Sequence, residues 1–219
     1  EHRMTATPKL KMTTDVPASI SAPDSVETSI GTFEYFDGVP TTKSADMAYD
    51  FLDKVNAYKA LLSTIPTVSI NELRRGQASI GADACHQICI FDTLMDSTGF
   101  VLTGNTSTMY AYAPTDLAND GPTVIEIPPG MLGFLDDAWQ RFVGNMGVTG
   151  PNKGKGGKYL VLPPGYDGEI PDGYFLLKPP TNRNFMFLRG SIKNGLKPAV
   201  ENITSHLRVR FALIIKVNQ

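Results

Sequence analysis

Cysteine is nearly absent: Cys85 and Cys89 are the only two in 219 residues. No disulfide framework can therefore hold the fold. If they share an extended segment, four residues of rise separate them by roughly 13 Å, too far for a bridge, whereas a helix would bring them closer. The reading is two buried thiols. Only three histidines occur, His2, His86 and His206. With neighbours on a strand pointing to opposite faces, Cys85, His86 and Cys89 do not converge, so neither a metal nor a cofactor is expected. No apolar run approaches the ~18 residues of a membrane span. Net charge is −2, which removes the electrostatic case for nucleic acid or an anionic membrane surface.

Glycine and proline are plentiful, at 20 and 16 residues. That favours many short strands over long helices. The densest stretch is Gly147–Gly173, GVTGPNKGKGGKYLVLPPGYDGEIPDG, which predicts shaped loop around one short strand, Tyr159–Leu162. A phosphate-binding loop needs a glycine five residues before its Gly-Lys pair and a hydroxyl residue after it. Thr149 and Asn152 occupy the two possible first positions, and Tyr159 follows Lys158, so that motif is excluded. A looser anion site on Lys153, Lys155 and Lys158 stays open against three solvated loop lysines.

Residues 1–30 lack periodicity and read as a mobile arm ahead of one β-rich domain, 31–219. Glu1–Arg3 read as vector-derived or as the start of a piece cut from a precursor. That makes the compartment periplasmic or secreted if a signal was removed, and cytoplasmic otherwise. Thr32–Phe36 alternates and closes at Asp37-Gly38. Ser44 is placed to cap a helix over about 45–64 with Met47, Phe51, Val55, Tyr58 and Leu62 on one face, ended by Pro66. Ser69–Glu72 forms a capping box for a second helix over about 70–80, which Gly81 ends. Strands are expected at Phe100–Thr103, Met109–Ala113, Val124–Ile127, Tyr174–Leu177 and Phe185–Leu188. Met131–Leu135 is expected as a strand running into a helical turn. A third helix, 198–207, opens on Lys197-Pro198, and Val209–Ile215 alternates as a final strand. The fold class is mainly β (α+β), an antiparallel β-sandwich.

No nucleophile elbow is present, and neither His86 nor His206 has a visible nucleophile and acid beside it. Asp136-Asp137 reads as a solvated turn. The polar residues at strand ends are more informative: Asn105 and Tyr110 from LTGNTSTMY, Arg183 and Arg189 from TNRNFMFLRG. With Lys153, Lys155, Lys158 and Tyr159 they make up the candidate ligand-binding set. The preferred reading of Arg183 is a buried ion pair with Asp136. Tyr110, Tyr112, Trp139, Tyr159 and Tyr174 could line a groove, although aromatics alternating in strands are more often core.

Several phrases, taken in order, resemble one family. They are SVETSIGTFEYFDGVPTTKSADMAYDFLDKVNA, LTGNTSTMYAY, DGPTVIEIPPG, GFLDDAWQRFVGNMGVTGPNKGKGGKYLVLPPGYDGEIPDGYF and TNRNFMFLRGSI before KPAVENI. The chain resembles the DUF1254 domain over about Ser25–Leu207. The resemblance implies a bacterial protein, a jelly-roll-type sandwich with accessory helices and a following β-rich domain, DUF1214. It implies no settled activity, cofactor or catalytic residue. The segment HLRVRFALIIKVNQ departs from the family's usual continuation, so a missing second domain is expected. The reading is a binding or structural module that forms homo-oligomers, with the tail Phe211–Val217 as a pairing edge. A hydrolase acting on a carbohydrate or small polar substrate is the alternative. In either case the ligand would be small and polar or anionic.

Overall fold

The computed structural model describes residues 17–97 and 104–211. The expected strand at Phe100–Thr103 and most of the tail Phe211–Val217 lie outside them. The chain divides into two compact units, 1–62 and 63–219.

In the first unit a 3-10 turn, Ala18–Ile20, precedes an antiparallel sheet of β1 (Ser25–Thr28), β2 (Gly31–Phe36) and β3 (Val39–Pro40). The arm expected over 1–30 thus contains a paired strand, because Ser25–Thr28 runs in register against Gly31–Glu34. Asp37 and Gly38 both have positive φ, 48° and 79°, which matches the twist of a two-residue hairpin loop. Helix α1 (Thr42–Ser79) follows. Its cap is Thr41, whose Oγ1 accepts the Ser44 N–H at 3.3 Å. Ser44 itself is buried, and its Oγ accepts the Glu34 N–H of β2 at 2.7 Å.

The two helices expected at 45–64 and 70–80 are one continuous element, with Pro66 inside it. Proline removes one intrahelical hydrogen bond, and no residue between Pro66 and Gly76 has the positive φ that would turn the chain away. Ser69 is helical, and its Oγ donates back to Ile65 O at 3.0 Å. Gly81, at φ 93°, closes the helix by donating to Ala78 O.

The second unit is built on two sheets. The five-stranded sheet has the order β4 (Cys89–Ile90), β5 (Thr108–Asp116), β11 (Arg183–Ser191), β7 (Met131–Asp137), β8 (Phe142–Gly147). The four-stranded sheet has the order β10 (Phe175–Leu177), β9 (Gly157–Val161), β6 (Thr123–Ile127), β12 (Arg208–Phe211). One pair, β9–β10, is parallel, so the sheets are not wholly antiparallel as expected. The one-turn helix α2 (Leu117–Asp120) follows β5, and α3 (Leu196–His206) precedes β12.

Strand alternation sorts the central side chains onto two faces. Met109, Ala111 and Ala113 of β5 and Met186 and Leu188 of β11 join Ile125, Tyr159, Val161 and Ile203 of α3 in the main core. Tyr110, Tyr112, Phe185 and Phe187 point the other way, forming an aromatic layer with Met95 and with Ile70 and Leu73 of α1. Pro114 is tolerated in β5 because its short neighbour β4 pairs only with Ala111 and Tyr112.

The stretch after Met131 is a hairpin rather than a strand and a helical turn. Asp137 explains this. It is fully buried, and its Oδ1 accepts the backbone N–H groups of Trp139 and Arg141 at 2.8 and 2.9 Å, while Oδ2 takes Arg141 Nε at 2.7 Å. One carboxylate therefore shapes the whole β7–β8 turn.

Candidate functional site

The Gly/Pro/Lys segment between β8 and β9 is a fixed structure. Tyr159 is buried and donates its hydroxyl to Asn152 Oδ1 at 2.7 Å, and the same oxygen accepts the Gly147 N–H at 3.0 Å. Burial pushes the Tyr159 hydroxyl pKa up, so it remains a proton donor. Gly154 N–H donates to Gly147 O, and Gly130 N–H donates to Gly154 O. A Cβ on Gly150 would lie 2.7 Å from the Tyr159 hydroxyl and 2.8 Å from Asn145 O, so only glycine fits there. Of the candidate set, Tyr159 is thereby a structural latch, while Lys153, Lys155 and Lys158 are all exposed.

One of these lysines, Lys158, meets other charges through the sheet register. Glu126 on β6 lies opposite Lys158 on β9 and opposite Arg208 on β12. Directly opposed residues share a sheet face with Cβ atoms about 5 Å apart. Beside them opens a cleft of about 330 Å³, lined by Glu126, Lys155, Ser205, His206, Arg208 and Arg210, with Gly156 and Gly157 at its wall. Gly156 is needed for the close approach, since its Cβ would sit 3.1 Å from Ile127 O and the Pro129 ring. His206 donates Nδ1–H to Asn202 O at 2.9 Å, which leaves Nε2 for another partner. Arg208 covers the C-terminal carbonyls of α3, donating to Leu207 O at 2.7 Å and Ser205 O at 2.8 Å, a placement that also complements the helix dipole. Lys155 and Arg210 make no ion pair among the described residues. Three cations, of which Arg208 is held by hydrogen bonds, thus line the cleft together with one carboxylate.

Sequence reasoning missed His206, Arg208, Arg210 and Glu126. The Arg-Val-Arg spacing was an available signal, because residues two apart on a strand share a face.

Asn105, Tyr110 and Arg189 come together elsewhere, on the aromatic layer. The Tyr110 hydroxyl accepts Asn105 N–H at 2.9 Å and Asn105 Nδ2–H at 2.7 Å. Asn105 Oδ1 in turn accepts the backbone N–H groups of Ser107 and Thr108, each at 2.9 Å. The Arg189 guanidinium lies 5.5 Å from the Tyr110 ring centre and 5.3 Å from that of Phe187, within cation–π range. Every one of these contacts is internal, so the trio organises a turn and a sheet face.

Arg183, at the far end of β11, takes Asp116 as its partner, Nε to Oδ2 at 3.4 Å. The expected pair with Asp136 does not form. Register decides: Arg183 lies opposite Asp116 on β5, whereas Asp136 lies opposite Phe185. Asp136 instead sits between Phe185 and Phe142 on its neighbouring strands. Burial there, with Asp137 adjacent, raises its pKa to about 6. Asp137, expected as part of a solvated turn, is the buried centre of the hairpin. Arg183 also borders a second cleft, of about 350 Å³, with Arg74, Asn71 and Val68 of α1 and Thr115, Asn184 and Phe185 of the sheet.

Both cysteines are free thiols. Burial, then Asp120 and Asp116, raises the Cys85 pKa, which holds it protonated and unsuited to nucleophilic attack. Among the described residues, no group of three His, Cys, Asp or Glu is placed to hold a metal ion, and no helix is long and apolar enough to cross a membrane.

No curated protein matches the chain. Among solved structures it is similar to the VPA0106 protein from Vibrio parahaemolyticus, at 16% identity and a TM-score of 0.47, over 68% of this chain and 36% of that one. The chain therefore spans little more than a third of that protein's length. The family described as "Protein of unknown function (DUF1254)" matches residues 85–210, from the first cysteine through β12 and both walls of the basic cleft. The chain belongs to the DUF1254 family.

Proposed function

We propose that this domain is a binding module for a small anionic ligand, held in the cleft between the glycine-rich segment and β12. The observation that carries this reading is the surplus of cations there: Lys155, Arg208 and Arg210 around the single carboxylate of Glu126, with His206 beside them. A phosphate or a small di- or tricarboxylate matches that chemistry, because guanidinium groups offer paired donors to such oxygens. Lys158, directly across from Glu126, offsets the carboxylate's repulsion of an incoming anion. Within the family resemblance, the module is one half of a larger bacterial two-domain protein that self-associates. The alternative reading, a hydrolase acting on a carbohydrate or small polar substrate, would not use Cys85 as nucleophile, because burial and then Asp120 and Asp116 hold it as the thiol.

Differential scanning fluorimetry and isothermal titration with inorganic phosphate and with citrate test this reading. Ligand at ten times its Kd adds about 1.4 kcal/mol to the folded state, a shift of roughly 3–6 °C for a chain of this size. The response disappears in Lys155→Ala/Arg210→Ala and persists in Lys153→Ala. Absence of any shift with either anion at 10 mM, or an unchanged shift in the double variant, overturns it.

A further inference from the structure

We infer that the cleft between the C-terminal part of α1 and the start of β11 binds a small monocarboxylic acid with an apolar body. This goes beyond the anion site at β12 and uses none of its residues. Every residue lining the cleft belongs to the second unit, 63–219.

Two walls form it. On α1, Thr67, Asn71 and Arg74 recur at intervals of four and three, with Ile70 beside them, so they share one stripe of the helix. On the sheet, register sets Phe185 opposite Pro114 and Arg183 opposite Asp116. Phe185 lies on the face that packs against Ile70 and Leu73. Arg183, two residues earlier on the same strand, stands at that face too. Val68 and Ala138 complete an apolar lining with Ile70, Pro114 and Phe185. At about 350 Å³ the cleft is at the small end of the ~300–1,000 Å³ typical of ligand sites.

The charges at its rim do not balance. Glu72 is neutralised by Arg75, whose Nη1 meets its two oxygens at 3.0 and 3.3 Å. Asp116 takes Arg183 through Nε, at 3.4 Å, which leaves both Nη groups for another acceptor. Arg74 is half-buried and makes no ion pair among the described residues. Its Nη2 donates to Asn71 Oδ1 at 3.2 Å, a neutral partner. One positive charge is thus unmatched beside an apolar wall. Burial, then Asp120 and Asp116, raises the Cys85 pKa, while Arg74 and Arg183 both act to lower it. The two guanidinium groups are therefore near enough to act on one thiol, and a carboxylate between them is shared by both.

Phosphate or citrate would leave Ile70, Pro114 and Phe185 facing water, and would bring more negative charge than one arginine offsets. A monocarboxylate with an aromatic or aliphatic body answers both conditions. Its charge matches Arg74, and its body covers the lining.

Isothermal titration of the full chain with 3-phenylpropionate and with its uncharged amide tests the site. The expected result is saturable binding of the acid, at least about tenfold tighter than that of the amide, as charge-assisted bonds provide. Arg74→Gln is expected to abolish that preference. Val68→Glu, which sets a negative charge in the apolar wall, is expected to weaken the acid to a similar degree. Lys155→Ala/Arg210→Ala is expected to leave it unchanged; loss of binding there would move the acid to the β12 cleft and overturn this site. The acid–amide comparison is made on the unsubstituted chain, so it decides whether or not a variant folds. No saturable binding of the acid up to about 10 mM, equal affinity for acid and amide, or full affinity in Arg74→Gln each overturns the inference.

Discussion

Tyr159 and Asn152 are joined by a 2.7 Å hydrogen bond inside the glycine-rich segment, and that one contact couples strand β9 to the turn that precedes it. The Asn152 oxygen also holds the Gly147 N–H at the end of β8. Tyr159→Phe removes the donor but keeps the ring in the core. It should lower stability by about 1 kcal/mol, the usual net worth of a buried hydrogen bond. Urea denaturation followed by circular dichroism checks this. A loss above about 3 kcal/mol would mean the hydroxyl anchors more than the segment.

Asp137→Ala should be the most damaging single change in the β7–β8 hairpin. It removes the acceptor for two backbone N–H groups and leaves Arg141 without its carboxylate. The expected cost is about 3 kcal/mol, in the range for breaking a buried charged network. Asp137→Asn, which keeps one acceptor oxygen, should cost less. Equal Tm values for the wild type and Asp137→Ala would contradict the assigned role.

Asp136 should make stability fall as pH rises. Its folded pKa is raised from 3.8 to about 6 by burial and by Asp137. Between those values the folded state binds more protons than the unfolded chain, so stability drops with pH across that window. The contribution is fully present below about pH 4 and lost above about pH 6. Asp136→Asn, neutral throughout, should raise Tm at pH 7 and leave it nearly unchanged at pH 4. The reverse ordering would show that the carboxylate is stabilised in its charged form.

Arg183→Ala should cost no more than about 1 kcal/mol. Its pair with Asp116 is 3.4 Å long and the arginine side chain is 59% exposed, and such pairs contribute little. A double-mutant cycle with Asp116→Asn measures the coupling directly. A coupling above about 2 kcal/mol would place the pair in a drier setting than the geometry indicates.

The parts of this fold that could be read from the chain are those in which local pattern and final environment agree. Met109–Ala113 alternates, and its small and aromatic residues do separate onto two faces. Asp37-Gly38 is a turn because its backbone demands positive φ at both positions. The failures have separate causes: a proline that the helix tolerates, a carboxylate buried by its own turn, and a cleft whose walls are distant in sequence. Pro66 looked like a stop, yet the helix continues through it. Asp137 looked solvated because nothing in its neighbours shows that three donors of the following turn fold back on it. The basic cleft was half legible, in Lys155 and the glycines. Its other wall comes from Arg208 and Arg210, and only the placement of β6 between β9 and β12 brings the two together.

The hairpin held by Asp137 also carries the only tryptophan in the chain, Trp139, whose backbone N–H is one of the carboxylate's donors and which as a residue is 40% accessible. Intrinsic tryptophan emission is therefore a single-site optical report on the β7–β8 turn. Loosening of this hairpin ahead of global unfolding would appear as a red shift in fluorescence before any change in far-ultraviolet ellipticity, with no label introduced.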